Sequence, residues 1–247
     1  MISILLAALF LPLFPFSMLL NKVLARLPWP AARFTLLLVW PLLGVAILDL
    51  SEPEVPAFVV PWALISSALY ALRLLTVRDL GLWAGFLAAS VLPLTWGLAQ
   101  SGAQIENLYL FALWFSMPSA LLALLTQPLT TRFGAAYAGL RGGLTARLPR
   151  LSALLVITLL AAIATPPFPG FFAMLDLLQR MSSSAALAIV VIWLVWGWGA
   201  ARLLQGFVVG ADRPASIDDI GMSSTWGYTS VLCALVIAGA YLTGGGL

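Results

Sequence analysis

The sequence has no histidine and a single cysteine, Cys233, among its 247 residues. A disulfide needs two thiols, and most zinc and haem sites use cysteine or histidine ligands. These absences exclude a disulfide framework, a Cys/His zinc site and histidine-ligated haem. The sequence therefore predicts no metal and no cofactor, and we interpret Cys233, which lies within an apolar run, as a packing residue.

Charged residues are the second shortage. They make up 9% of the chain, whereas 62% of the chain is hydrophobic. A soluble domain carries about 25% charged residues, so this chain has too little polar surface to face water. A bilayer span needs roughly 20 mostly apolar residues, and runs of this kind fill nearly the whole sequence. The composition predicts an integral membrane protein and excludes a soluble enzyme.

Apolar runs separated by charges, glycines and prolines predict about eight transmembrane helices in one membrane domain, residues 1–247. Backbone groups cannot stay unpaired in hydrocarbon, so the predicted fold class is an all-α polytopic transmembrane helical bundle. The first run is interpreted as a retained span because no basic residue precedes it. The predicted spans lie near residues 1–20, 34–49, 58–77, 80–99, 108–127, 151–168, 185–205 and 226–243.

The basic residues predict the orientation of the bundle. With eight alternating spans, eleven of the 12 lysines and arginines fall on one side, and only Arg180 falls on the other. Because basic loops are retained in the cytoplasm, both termini are predicted on the outer side of a bacterial inner membrane. Topology also explains the net charge of +3, so nucleic acid is not a predicted partner.

One short segment, residues 165–172, cannot continue a regular helix. Its break motif consists of Pro166, Pro167, Pro169, Gly170 and Phe171. Proline lacks a backbone donor and clashes with the preceding turn, so the helix is predicted to break here. Broken backbone at membrane depth is tolerated where it is buried in protein or lines a wet cavity, as in ion pathways. An ordinary loop between spans six and seven is the alternative interpretation.

The order of motifs around this break resembles a known family. Gly142-Gly143-Leu144 and Leu148-Pro149 precede the span that leads into the break, and the next long span closes with Arg202, Phe207 and Gly210. This order is similar to the later helices of antiporter-like membrane subunits, which are shared by respiratory complex I, membrane-bound hydrogenases and Mrp-type Na+/H+ antiporters. The similarity covers roughly residues 105–212.

The resemblance implies a fold built from inverted repeats, in which broken helices and buried ionisable residues carry protons. This chain has about half the length usual in that family, so a shortened and divergent member is expected. The ionisable residues that the family carries before the Gly-Gly-Leu entry have no counterparts here, since Tyr109 is the only ionisable residue in 108–125. A complete proton relay within this chain is therefore not expected.

Asp176 and Arg202 are the predicted proton-path candidates, and no residue is predicted to be catalytic. Asp176 follows the break and would carry a proton if the fold buries its carboxyl group. Alternatively, it is an exposed partner of Arg180 four residues later. Arg202 either faces a buried carboxylate or extends from the end of span seven to the headgroup layer.

Three functions stay open at this point. In the first, the chain contributes to or supports the proton path of a multi-subunit ion-translocating complex, beside other membrane subunits that include a full-length antiporter-like relative. In the second, it is a scaffold or adaptor that kept the fold and lost the relay. In the third, it is an unrelated small transporter or membrane transferase that uses Asp212, Asp218 and Asp219. The sequence does not distinguish a redox pump, an antiporter or a bicarbonate-uptake complex.

Overall fold

A computed structural model of the chain describes residues 2–139, 143–209 and 218–243. In these ranges the regular secondary structure is helical, which confirms the predicted all-α membrane bundle. A short 3-10 turn, Leu92–Leu94, separates α5 from α6. The α-helices are α1 (Ile2–Phe10), α2 (Ser17–Arg26), α3 (Pro30–Ser51), α4 (Val59–Leu74), α5 (Leu80–Val91), α6 (Thr95–Gln100), α7 (Ile105–Phe133), α8 (Leu144–Arg147), α9 (Pro149–Ala162), α10 (Pro169–Arg180), α11 (Ser183–Val208) and α12 (Met222–Thr243).

Helix length and hydropathy identify the chain as an integral membrane protein. In the described part of the chain, five segments are long and apolar enough to cross a bilayer: α3, α5 with α6, α7, α11 and α12. The shorter apolar helices α4 and α9 lie among them. The predicted first span, residues 1–20, is divided between α1 and α2, so the count of eight crossings stays a prediction.

Helix α7 lies at the centre of the bundle, where it contacts α3, α5, α9 and α10. Its Phe111 and Phe115 side chains are fully buried, as is Trp196 of α11. The outer faces are also apolar, as the exposed side chains of Leu194, on α11, and Ile237, on α12, illustrate. The bundle is thus apolar both inside and outside, as expected for helices whose outer faces contact lipid.

Two prolines interrupt the chain between α1 and α2. The carbonyl of Leu11 accepts a hydrogen bond from Trp96 Nε1 at 3.1 Å, and that of Phe14 accepts one from Trp62 Nε1 at 2.6 Å. The backbone amide of Phe14 donates to Ser66 Oγ at 2.9 Å. Side chains of α4 and α6 thus replace the backbone donors and acceptors of a regular helix, which explains why residues 1–20 are not one continuous span.

A buried hydroxyl pair joins α4, α5 and α11. Ser90 Oγ donates to the backbone carbonyl of Ser67 at 2.7 Å. The same Ser90 Oγ accepts from Trp196 Nε1 at 2.8 Å. These three side chains are buried, so their hydrogen bonds fix the relative positions of the helices that enclose the core.

Candidate functional site at the break between α9 and α10

The chain breaks between Ala162, which ends α9, and Pro169, which begins α10. Ala164 adopts the left-handed conformation with a φ of 56°, and Thr165 Oγ1 donates to the Leu160 carbonyl at 3.0 Å. A non-glycine residue in this conformation costs about 1–2 kcal/mol. The surrounding packing must therefore hold the break in place.

Two later helices pack against the break. Trp193 Nε1 of α11 donates to the Ile163 carbonyl at 2.8 Å, which satisfies one of the carbonyls released at the end of α9. Gly239 of α12 touches the Pro167 carbonyl so closely that any Cβ at position 239 would collide with it. Both α11 and α12 thus contact the backbone of residues 163–168.

The members of the predicted break motif differ in exposure. Pro166 and Pro167 are exposed, whereas Pro169 and Gly170, in the first turn of α10, are buried. The Phe171 ring lies 5.7 Å from the Trp193 ring and is partly buried. Their contribution to an ion path stays a prediction.

Asp176 forms an ion pair with Arg180 one turn later in α10. Arg180 Nε donates to both carboxylate oxygens at 2.9 Å. The Asp176 side chain is 23% exposed and that of Arg180 is 34% exposed. The hydrogen bond and the charge of Asp176 raise the pKa of Arg180 above its ordinary value. A water-accessible pair at this spacing contributes about 0.3–0.5 kcal/mol, and a role for Asp176 in proton transfer stays a prediction.

Asp176 and Arg180 open onto a cavity of about 450 Å³ between α7 and α10. Its apolar lining includes Phe111 and Trp114 of α7. A cavity of this size has room for several water molecules, each of which needs about 30 Å³ in the liquid. Its polar lining residues are Gln104, Asn107, Asp176, Gln179 and Arg180. The carboxylate of Asp176 therefore lines a cavity that has room for water.

The interior beyond this cavity carries hydroxyl groups. Apart from aromatic side chains, the buried polar side chains in the described ranges are all serine or threonine. Five buried polar atoms lack a hydrogen-bond partner among the described residues, and such groups cost about 1–3 kcal/mol each unless water satisfies them. These atoms belong to Trp83, Thr95, Ser116, Ser152 and Thr158. The described interior thus carries hydroxyl groups rather than carboxylate, ammonium or guanidinium groups.

The structure does not bring Asp176 and Arg202 together. Arg202 is exposed near the end of α11, and it pairs with no carboxylate among the residues that the structure describes. Helix α11 begins at Ser183, just after Arg180, so Arg202 lies about 28 Å further along the bundle at 1.5 Å per residue. The two predicted residues belong to separate sites at opposite ends of α11.

Asp219, which the sequence suggested as a catalytic candidate, caps a helix. Its carboxylate accepts hydrogen bonds from the backbone amides of Arg150 at 2.8 Å and Leu151 at 3.3 Å, at the start of α9. Arg132 donates to the backbone carbonyls of Asp218 and Asp219 at 2.8 and 3.1 Å. Sequence reasoning missed this role because the cap comes from 68 to 69 residues away. Gly142, Gly210 and Asp212, which were named from the sequence above, lie outside the described ranges.

The fold is similar to that of chains in three solved membrane assemblies. A chain of respiratory complex I from Thermus thermophilus matches 98% of this chain with a TM-score of 0.82 and 19% identity. The membrane-bound sulfane sulfur reductase, an archaeal respiratory membrane complex, matches 96% with a TM-score of 0.79 and 13% identity. The Mrp complex from Dietzia sp. DQ12-45-1b matches 87% with a TM-score of 0.74 and 18% identity.

The chain has the antiporter-like fold. The resemblance predicted from the Gly and Pro motifs is thereby confirmed for the fold. This chain covers 54%, 51% and 43% of the three solved chains, in the order given above, so it spans about half their length. No protein-family profile and no curated protein matches the sequence; the similarity is carried by the antiporter-like fold alone.

Proposed function

We propose that this chain is a membrane subunit of a multi-subunit proton-translocating complex in a bacterial inner membrane. In this proposal its α9–α10 break contributes one stretch of a proton path that a neighbouring antiporter-like subunit completes. The observation that carries the proposal is the likeness of nearly the whole chain to chains of three membrane complexes, two of them named as respiratory.

The distribution of polar groups supports a shared path. A proton path needs groups that bind and release a proton, and the described interior carries serine and threonine hydroxyls, which orient water but do not store charge. Asp176 lines the cavity between α7 and α10, where it would pass protons between bulk water and the break. The ionisable groups deeper in the membrane would come from the partner.

Purification from native membranes in a mild detergent tests membership of a complex. We expect the chain to elute as part of a larger assembly, whose other membrane subunits mass spectrometry would identify. A chain that elutes alone and monomeric would contradict this proposal and would favour an unrelated small transporter.

A scaffold or adaptor that does not conduct is the second candidate, and the pairing of Asp176 with Arg180 favours it. Asp176→Asn in the intact complex separates the two. If the chain contributes to the path, the variant lowers proton flux several-fold, whereas Glu106→Gln, an exposed acid at the same end of the bundle, leaves it unchanged. If the chain is a scaffold, both variants are silent, and only deletion of the chain disrupts assembly.

A further inference from the structure

A second cavity, of about 350 Å³, lies at the opposite end of the bundle from Asp176. Its walls come from the end of α4, the end of α11 and the residues that follow α7. Arg78, Arg202 and Gln205 provide its polar side chains. The sequence alone does not show that the two arginines share a site, because more than a hundred residues separate them.

Backbone contacts fix the shape of this cavity. The Gly139 amide donates to the Gly206 carbonyl at 2.9 Å, and the Ala138 amide donates to the Arg78 carbonyl at 2.8 Å. A Cβ on residue 206 would lie 2.8 Å from the Cβ of Ala138, so the close approach requires glycine there. The backbone that carries Arg78 and the end of α11 are both joined to residues 138–139.

Among the residues that the structure describes, the charged side chains that line the cavity are Arg78 and Arg202, and both are positive. Asp79, the neighbour of Arg78, caps α5 by accepting the Leu82 amide at 2.8 Å. Both guanidinium groups are permanently charged, and both arginines line this one cavity. Arginine matches phosphate oxygens with two parallel hydrogen bonds. The cavity therefore suits a phosphate group.

An exposed apolar stripe on α11 leads to this cavity. Its members repeat every three or four residues, which places them on one face of the helix, and Arg202 follows on the same face one turn after the last of them. The stripe consists of Leu187, Val191, Leu194 and Trp198, which are 53–69% exposed. It is about 16 Å long at 1.5 Å per residue, close to one leaflet of a roughly 30 Å hydrocarbon core.

We propose that Arg78 and Arg202 bind the phosphate of an anionic phospholipid, whose acyl chain lies along the α11 stripe. A basic cavity that adjoins an exposed apolar stripe matches a molecule that is anionic at one end and apolar along its length. Free phosphate would use the arginines alone, whereas the lipid uses both features. This site does not depend on the proposed proton path.

The test uses the full chain in nanodiscs of equal parts phosphatidylglycerol and phosphatidylcholine, followed by native mass spectrometry and titration with labelled phosphatidylglycerol. We expect one retained phosphatidylglycerol per chain, and about 30-fold weaker binding in Arg78→Gln/Arg202→Gln, since two basic contacts are lost. Lys22→Gln/Arg26→Gln removes the same charge from exposed residues of α2 and should bind like the wild type.

Further variants keep the test decisive. Arg78→Lys/Arg202→Lys retains charge without the paired donors and should bind with intermediate affinity. Trp198→Ala should weaken lipid binding without altering binding of inorganic phosphate, whereas Trp226→Ala, an exposed indole on α12, should change neither. Equal retention of both lipids, unchanged binding in the glutamine double variant, or inorganic phosphate that binds while lipid does not would each overturn the proposal.

Discussion

Indole N–H groups take the place of backbone donors in this protein. Each of four tryptophans donates a hydrogen bond to a carbonyl at or beside a helix end, where regular backbone pairing stops. Hydrocarbon offers no water to such carbonyls, so each indole removes the cost of an unpaired buried acceptor, about 1–3 kcal/mol. The pairs are Trp40 with Leu9, Trp62 with Phe14, Trp96 with Leu11, and Trp193 with Ile163.

Trp193→Phe tests this role at the α9–α10 break. Phenylalanine retains an aromatic ring beside Phe171 but removes the donor to the Ile163 carbonyl, so we expect a loss of about 1 kcal/mol in stability. Thermal unfolding in one detergent would measure it. Trp226→Phe, on the exposed face of α12, is the control, and equal melting temperatures for the two variants would contradict the assignment.

The Asp176–Arg180 pair shows how far sequence reasoning reaches for a single residue. The spacing of four was enough to suggest the ion pair, because such residues face each other on a helix. It could not tell whether the carboxylate is buried, since that depends on α7, which lines the other side of the cavity.

At the scale of helices, proline positions alone do not predict where a helix stops. Pro41, Pro118 and Pro128 lie inside the continuous helices α3 and α7. By contrast, the prolines between α1 and α2 interrupt the chain where indoles from α4 and α6 supply new donors. The break at 163–168 could be predicted because three prolines occur together, whereas the α1–α2 break depends on distant partners that sequence does not reveal.

Helix α12 is expected to depend on Gly239 for its position against the break. In Gly239→Ala the new Cβ meets the Pro167 carbonyl, so α12 must shift, at a cost of about 1–3 kcal/mol. Gly227→Ala on the same helix has open space around it and should be neutral or stabilising by up to about 1 kcal/mol. Thermal unfolding of the pair checks this, and a neutral Gly239→Ala would contradict the close contact.

Helix α9 is expected to depend on Asp219 for its cap. Proline at its first position leaves Leu148 as the preceding residue, which cannot cap. Asp219→Ala should therefore lower stability by about 1 kcal/mol, within the range of measured cap removals. The exposed Asp218 contributes its backbone carbonyl, so Asp218→Ala should be close to neutral. If both variants unfold alike, the carboxylate cap is not important.

For the whole molecule, composition alone was sufficient to predict a helical membrane protein. The number of crossings was not predictable in the same way, because α1 and α2 divide the apolar stretch 1–20, which was predicted as a single span. The fold could be recognised from glycine and proline motifs near α9–α11, since those residues determine backbone conformation. The cavity between Arg78 and Arg202 could not, because tertiary packing alone brings them together.

The orientation of the bundle gives a prediction at this scale. In a Cys233→Ser background, Glu54→Cys should react with a membrane-impermeant maleimide in intact cells, whereas Arg26→Cys should react only after permeabilisation. Both residues are exposed, so differences in labelling report the side of the membrane. Labelling in the opposite order would reverse the predicted location of both termini.

The cap of α9 by Asp219 also has a consequence for biosynthesis. The ribosome completes α9 before it reaches residue 219, and at roughly 5–20 residues per second the intervening chain takes about 3–14 seconds to make. During that interval the first amides of α9 lack their carboxylate acceptor. The start of α9 is therefore completed only late in synthesis, just before α12 is made.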